Sequence, residues 1–399
     1  MSSSTTAFDL AKCPACRQEN LSRADHFKFR DFDGSLFNME VDFGLCGHCG
    51  FVRALVPFGD EQISDHYANH SLYGSLGGVG VGGSTREDIL RYEQYLYLLD
   101  TIVQKSGSIA DVGCSSGGFL SYLRHVIGYE GKLTGIDVDM RALSSLKDIH
   151  TVNGNALNLN LQKDAVDLAF YTHVFEHILD IDRAVSEMTR VISDGGYAFI
   201  EVPDATGYSV SRVHDYYWIG MKEHVNHFTP KSLSSLLHRH GVKVQKIIRR
   251  TFPMKGGVFY PSLIVLAKIC NKPETNPLSM EPMGSHWFLE HMDSEQNFFA
   301  KTKHNLKSFL RGRKSLLIWG IGLEFFNLLA LEVLQINAST ILLDSNAAKQ
   351  TQTVSGCHIL DPSKLPFNEA MLCTSSLSWR QITQHAGSLG FDENNIFCL

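Results

Sequence analysis

The chain has 399 residues, 44% of them hydrophobic, and a formal net charge of -6 at pH 7 with a pI near 6.3. That length exceeds what one hydrophobic core usually organises, so two or three domains are expected. The acidic balance offers no basic stripe for a phosphate backbone, and no apolar run approaches the roughly 18 residues of a spanning helix, which argues against nucleic acid as substrate and against a membrane protein.

The stretch Met1–Leu10 is polar and lacks the basic start and apolar centre of a leader. Nine cysteines are present, and Cys114, Cys270, Cys357, Cys373 and Cys398 stand singly. A cytoplasmic protein with reduced thiols is the expectation.

The first block, taken as residues 1–65, is rich in cysteine and aromatics. Cys13-Pro-Ala-Cys16 and Cys46-Gly-His-Cys49 are two Cys-x-x-Cys knuckles with 29 residues between them. Each gap lets both sulfurs point at one ion, and two knuckles complete a tetrahedral thiolate site. A full thiolate set leaves no open position for water, so the spacing predicts a structural zinc and not a catalytic one. His48 is an alternative ligand or a solvated turn residue. A bridging stretch through His66, Tyr67 and Tyr73 then enters the glycine-dense segment Gly74–Gly83, which reads as a loop.

The second block, residues 66–272, alternates strands with helical patterns. Ile109–Val112, Leu133–Ile136, Val166–Tyr171 and Tyr197–Val202 are the predicted strands, with Val242–Ile248 and Val258–Ile269 completing the sheet. Such alternation predicts an α/β fold with a Rossmann-like parallel sheet. In Ile109-Ala-Asp-Val-Gly-Cys-Ser-Ser-Gly-Gly-Phe119 a strand ends in Asp111, a turn follows, and a helix begins near Gly117. Gly113 and Gly117 let a ligand approach the backbone closely. A dinucleotide turn would carry glycine where Ser115 stands, and the carboxylate of Asp111 would repel a pyrophosphate. That carboxylate suits instead the ammonium and sulfonium charges of S-adenosylmethionine. Asp137, 20 residues after Gly117, can accept both ribose hydroxyls, and Asn155-Ala156 can reach the adenine edge. Cys114 inside the turn reads as small buried packing. The run Asp167-Leu-Ala-Phe-Tyr-Thr-His-Val-Phe-Glu-His177, then Asp194-Gly-Gly196 and Glu201-Val-Pro203, completes a series that resembles the class I methyltransferases, with His173 beside the cofactor.

Lys222-Glu-His-Val-Asn-His-Phe-Thr-Pro-Lys-Ser-Leu233 is dense in groups suited to acid/base work. His224 can take a proton at neutral pH with Glu223 as its partner; alternatively the pair braces a loop against a helix starting at Pro230, with Thr229 as N-cap. His173, His177, His227 and Lys222 are rival bases.

The third block, residues 273–399, opens on a linker near Lys272–Pro282. A long helix follows, with Phe288, Met292, Phe299, Leu306 and Leu310 on one face. A smaller α/β unit then has strands at Leu316–Trp319 and Thr340–Leu343.

Taken together, the knuckles, the methyltransferase series, the long helix and the turn Trp319-Gly-Ile-Gly-Leu-Glu324 with Leu343-Asp-Ser-Asn346 resemble the sugar C-methyltransferase family. The resemblance implies a nucleotide-linked 4-keto-deoxysugar as substrate, S-adenosylmethionine and zinc as cofactors, and an enolate formed by a histidine beside a glutamate. Carried over by motif, those residues are His224 and Glu223, with His177 the family's histidine after the fourth strand. The sequence departs from the pattern at Met221-Lys222, where the family usually has Tyr-His, and at Phe325-Phe326, where it usually has a lysine nearby. Gly320-x-Gly322 lacks a third glycine, so a substrate-holding unit is expected there in place of an NAD site. Oxygen or nitrogen methylation of another small metabolite, and a non-catalytic zinc-dependent binding protein, are the competing readings.

Overall fold

The computed structural model describes residues 12–19, 21–71, 83–253, 258–270, 284, 286–313, 315–364 and 370–399. The predicted glycine loop, save Gly83, lies outside them, as do Tyr73 and the linker at 272–282.

Three sheets organise the chain. The first contains β1 (Leu21–Phe29), β2 (Met39–Cys46) and β3 (Val52–Ala54), all antiparallel. The short helix α1 (Asp60–Asp65) and a helical turn at His66–His70 lead out of it.

The second sheet is wrapped by helices. Its elements are α2 (Arg86–Lys105), β4 (Ser108–Val112), α3 (Gly118–Tyr122), β5 (Lys132–Asp137), α4 (Met140–Leu143), β6 (His150–Asn153), β7 (Val166–Thr172), α5 (Ile181–Val191) and β8 (Ile192–Pro203). After a long excursion come β9 (Asn226–His227), α6 (Pro230–Arg239), β10 (Lys243–Pro253) and β11 (Phe259–Lys268). The strand order is β10-β11-β8-β7-β4-β5-β6, with β11 antiparallel to both neighbours and the strands from β8 to β6 parallel. The fold is mixed α/β with a Rossmann-like sheet. β7 shows why it is buried on both sides: Leu168 and Phe170 enter one core while Ala169 and Tyr171 enter the other. α5 covers one face through Ile181, Ala184, Val185, Met188 and Val191, a helical stripe, and starts at Asp180, whose side chain accepts from the Arg183 amide. The predicted turn at Asp194–Gly196 lies inside β8, where the pairing with β7 breaks register.

β9 does not join this sheet. It pairs antiparallel with β3, so the first sheet runs β1-β2-β3-β9 and is closed by a strand from the middle of the chain.

The helix α7 (His286–Leu310) buries Phe288, Met292 and Leu306. Beyond it β12 (Leu316–Trp319), α8 (Leu323–Ala330), β13 (Thr340–Leu343), β14 (Thr353–Val354), β15 (Cys357–Leu360), β16 (Met371–Cys373), α9 (Trp379–Ser388) and β17 (Ile396–Cys398) build the third sheet, ordered β14-β15-β13-β12-β16-β17 and parallel except at β14. Among the described residues, no helix is long and apolar enough to cross a membrane.

Candidate active site and cysteine cluster

The four knuckle sulfurs of Cys13, Cys16, Cys46 and Cys49 all lie within 4.8 Å of one another. Cys13 Sγ stands 3.7 Å from Cys49 Sγ, and Cys16 Sγ 3.7 Å from Cys46 Sγ. A tetrahedral zinc with bonds of about 2.3 Å needs sulfurs about 3.8 Å apart, so the donor set has the size zinc requires. His48 is not among the clustered donors. α6 grips both knuckles. At its C-terminal end Arg239 donates to the carbonyls of Ala15 (3.0 Å) and Pro14 (2.9 Å) and pairs with Asp182, which also holds Arg17. At its start Thr229 donates to the Cys49 carbonyl at 2.6 Å.

At the carboxyl ends of β4 and β5, Asp111 and Asp137 stand side by side. Asp111 is 4% exposed and its Oδ1 is buried with no hydrogen-bond partner. Burial, and then the charge of Asp137, push its carboxyl up to about 8. Asp137 accepts from the amides of Ser115 (2.8 Å) and Asp139 (2.9 Å), which orient it and leave each oxygen a second lone pair. Gly117 caps α3 in the left-handed region at φ 65, and a Cβ there would meet Leu146 at 2.3 Å. Gly113 is also left-handed at φ 71, against Val174. Cys114 is buried packing, 2% exposed. Asn155 is committed: its Oδ1 accepts from the amides of Leu157 and Asn158 at 3.0 Å each, its Nδ2 meets Ser64 at 3.3 Å, and Ala156 is buried in the core. Asn155 Nδ2 keeps a second hydrogen, while the backbone N–H and carbonyl of Asn155 are both bonded to Asn158, at 3.1 and 3.0 Å.

His173, expected beside the cofactor, is held by neighbouring side chains. It lies in a closed network with Nδ1 3.0 Å from Glu176 and 2.9 Å from the Tyr260 hydroxyl, and Nε2 3.2 Å from Arg91. Burial opposes charge on this ring, but Glu176 and Glu201 outweigh it and hold the pKa above the usual histidine value. Glu201, fully buried, would be raised by burial but is brought down to about 2 by Arg91 and His173, and it also accepts from Ser262 and Tyr95. No periodicity in the sequence marks Arg91 or Tyr260.

The other two histidines meet. His177 and His224 pack edge to face with centroids 4.8 Å apart, and together with Glu176 they bring donor atoms within 4.8 Å of one another. His177 Nδ1 donates to the Glu223 carbonyl (3.0 Å) and lies 2.8 Å from the Tyr67 hydroxyl. His224 Nδ1 and Glu176 Oε2 are buried without a partner. Burial takes the His224 pKa well below its ordinary value. Glu176 and His177 bring donor atoms close to His224, while Glu223 lines the cleft. The segment holding His224 is fixed from both sides. Asn226 Nδ2 donates to the carbonyls of Phe175 (2.9 Å) and Ile178 (2.6 Å), flanking His177, while the Val225 carbonyl accepts from the Ala54 amide (2.9 Å).

A cleft of about 1630 Å³ runs from Met221, Lys222 and Glu223 past His66 and Asp31 to the turn Gly320–Gly322 and Asp344. Lys222, expected as a rival base, is instead an ion-pair partner of Asp31 at 2.5 Å. Asp344 receives the Ile321 amide (3.0 Å) and Lys349 (3.0 Å).

Residues 87–247 match the family model described as a methyltransferase domain. A demethylmenaquinone methyltransferase from Staphylococcus epidermidis is 28% identical over 121 residues, covering 27% of this chain and 50% of that protein. One from Bacillus cereus is 27% identical over 103 residues, covering 24% and 44%. The chain thus spans about half the length of the curated relatives it matches. Among solved structures, a 1,6-didemethyltoxoflavin-N1-methyltransferase from Burkholderia thailandensis, with S-adenosylhomocysteine bound, aligns at a TM-score of 0.36 and 15% identity, covering 45% of this chain and 78% of that one. A SAM-dependent methyltransferase from Methanosarcina mazei aligns at 0.35 and 17%, covering 41% and 92%.

Proposed function

We propose that this protein is an S-adenosylmethionine-dependent methyltransferase whose N-terminal knuckles hold one structural zinc. The observation that carries the reading is the buried, unpartnered Oδ1 of Asp111 beside Asp137, at the glycine turn of the domain that matches methyltransferases. A carboxylate there meets the ammonium end of the cofactor, and Asp137 accepts ribose hydroxyls. When bound, S-adenosylmethionine supplies the methyl group for transfer.

The acceptor occupies the cleft between the His224 segment and the third sheet, and we read it as a nucleotide-linked keto-deoxysugar methylated on carbon. His224 is neutral at pH 7 because it is buried, so a ring nitrogen with a free lone pair can take the proton α to the ketone. His177, fixed by the Glu223 carbonyl, packs against the ring that receives it. One observation favours a second reading, oxygen or nitrogen methylation of a smaller acceptor: Lys222 and Lys349 in the cleft are already paired with Asp31 and Asp344, away from any diphosphate. Calorimetry with S-adenosylhomocysteine tests the cofactor assignment, and absence of binding rejects it. Exchange of solvent deuterium into a keto-sugar separates carbon methylation from the second reading.

A further inference from the structure

His214 and Glu324 meet where the methyltransferase unit abuts the C-terminal one. His214 lies in the excursion after β8, and Glu324 lies in the first turn of α8. Both side chains are 9% exposed and both line the cleft. His214 Nδ1 stands 3.1 Å from the Asp215 carbonyl oxygen. A carbonyl only accepts, so Nδ1 carries the ring hydrogen and Nε2 is a bare lone pair. Nε2 faces Glu324 Oε2 at 3.9 Å, and that oxygen already takes a 2.6 Å bond from the Ser376 amide. With Glu324 ionised, two acceptors therefore confront each other across a gap too wide for a direct bond and with no hydrogen to share.

Among the described residues no cation forms an ion pair with Glu324: Arg212, which lines a second pocket with His214, Glu324 and the exposed Lys301, is held by Asp215 and Glu295. Lys222 is held by Asp31 at 2.5 Å, Lys349 by Asp344 at 3.0 Å and Arg141 by Asp139 at 2.8 Å. Burial keeps the His214 ring neutral, its pKa taken down to about 3, and raises the Glu324 carboxyl to about 7. Tyr217 packs edge-on against His214 at 4.8 Å and also lines the cleft.

We propose that His214, Glu324 and Tyr217 form a subsite for a protonated amine on the acceptor, its ammonium donating to His214 Nε2 and Glu324 Oε2 together. A hydroxyl offers one hydrogen and leaves one acceptor unfilled, whereas an ammonium offers three and brings the charge a desolvated carboxylate lacks. The inference rests on the cleft being the acceptor's place, and it names a group the acceptor carries.

Two matched pairs of probes test it, UDP-glucosamine against UDP-glucose and free glucosamine against free glucose, by calorimetry and thermal shift on the full chain. The amine should bind roughly ten- to a hundredfold tighter than its hydroxyl counterpart in at least one pair, as a charge-assisted bond gives. The preference should collapse in Glu324→Gln and His214→Phe, with unliganded thermal unfolding reporting whether each variant keeps its fold. Absence of an amine preference in both pairs overturns the subsite, as does a preference that survives Glu324→Gln. Discrimination between the free sugars without binding of either UDP-sugar retains the subsite and rejects the nucleotide-sugar reading.

Discussion

Thr229 Oγ1 donates to the carbonyl oxygen of Cys49 at 2.6 Å, joining residues 180 apart in sequence. The same hydroxyl caps α6 by accepting from the Ser232 amide at 3.1 Å. Thr229→Val removes the cap, worth about 1 kcal/mol, and leaves a buried carbonyl unpaired at a further cost of about 1–3 kcal/mol. Urea unfolding should register a loss of roughly 2–4 kcal/mol, with Thr229→Ser near wild type. A loss below about 0.5 kcal/mol in the valine variant would show the clamp to be idle.

The cysteine cluster should hold about one zinc per chain in protein purified without chelator, as metal analysis would read. Cys46→Ala should lower the unfolding temperature strongly, since a structural metal contributes directly to folding. Trp287 Nε1 donates to the Gly50 carbonyl at 2.9 Å, next to Cys49. Stripping the metal should therefore change tryptophan emission while S-adenosylhomocysteine affinity in the surviving folded fraction stays nearly constant. Metal-free protein with unaltered stability would refute the assignment.

Asp111 makes stability depend on pH in a definite direction. Its folded pKa of about 8 exceeds an unfolded value near 3.9, so the folded state keeps a proton that the unfolded state has released. Its contribution is complete below about pH 4 and is lost as pH rises through about 8. The unliganded protein should weaken from about pH 4 to about pH 8, and Asp111→Asn should flatten that decline while lowering cofactor affinity roughly ten- to a hundredfold. An ammonium beside the carboxylate favours its ionised form. Binding near pH 7 should therefore release a proton, visible as a heat that differs between buffers of unlike ionisation enthalpy. Equal heats would mean that the carboxylate is not met by a cation.

His224→Asn should cut turnover by roughly 10²–10⁴-fold with cofactor affinity preserved, the usual cost of losing a general base. His177→Asn, which removes the ring packed on His224, should cost less and shift the pH profile. Normal turnover in the His224 variant would move the base elsewhere or make the transfer an oxygen methylation driven by proximity.

Apart from the polar edge strand β6, which has no apolar run, the second sheet was legible because its strands announce themselves locally: Ile109–Val112 and Val166–Tyr171 are short apolar runs ending in polar turns, and Thr229-Pro230 marks the start of α6. β9 was not. Two residues, Asn226 and His227, pair with Arg53 and Val52 through long-range hydrogen bonds that leave no periodic trace. The closed network around His173 was hidden for the same reason, since Arg91, Glu201 and Tyr260 are brought together only by the packing of α2 on β8 and β11.

That non-local pairing has a consequence for synthesis. All four knuckle thiols are made before residue 50, so they can gather an ion while most of the chain is still unmade. β3 then presents an unsatisfied edge until Asn226 emerges roughly 170 residues later. At about 5–20 residues per second, that interval is on the order of ten to thirty seconds. During this time the nascent protein carries a sheet with an open backbone margin, a natural point of recognition for chaperones and of mispairing between neighbouring chains on one message.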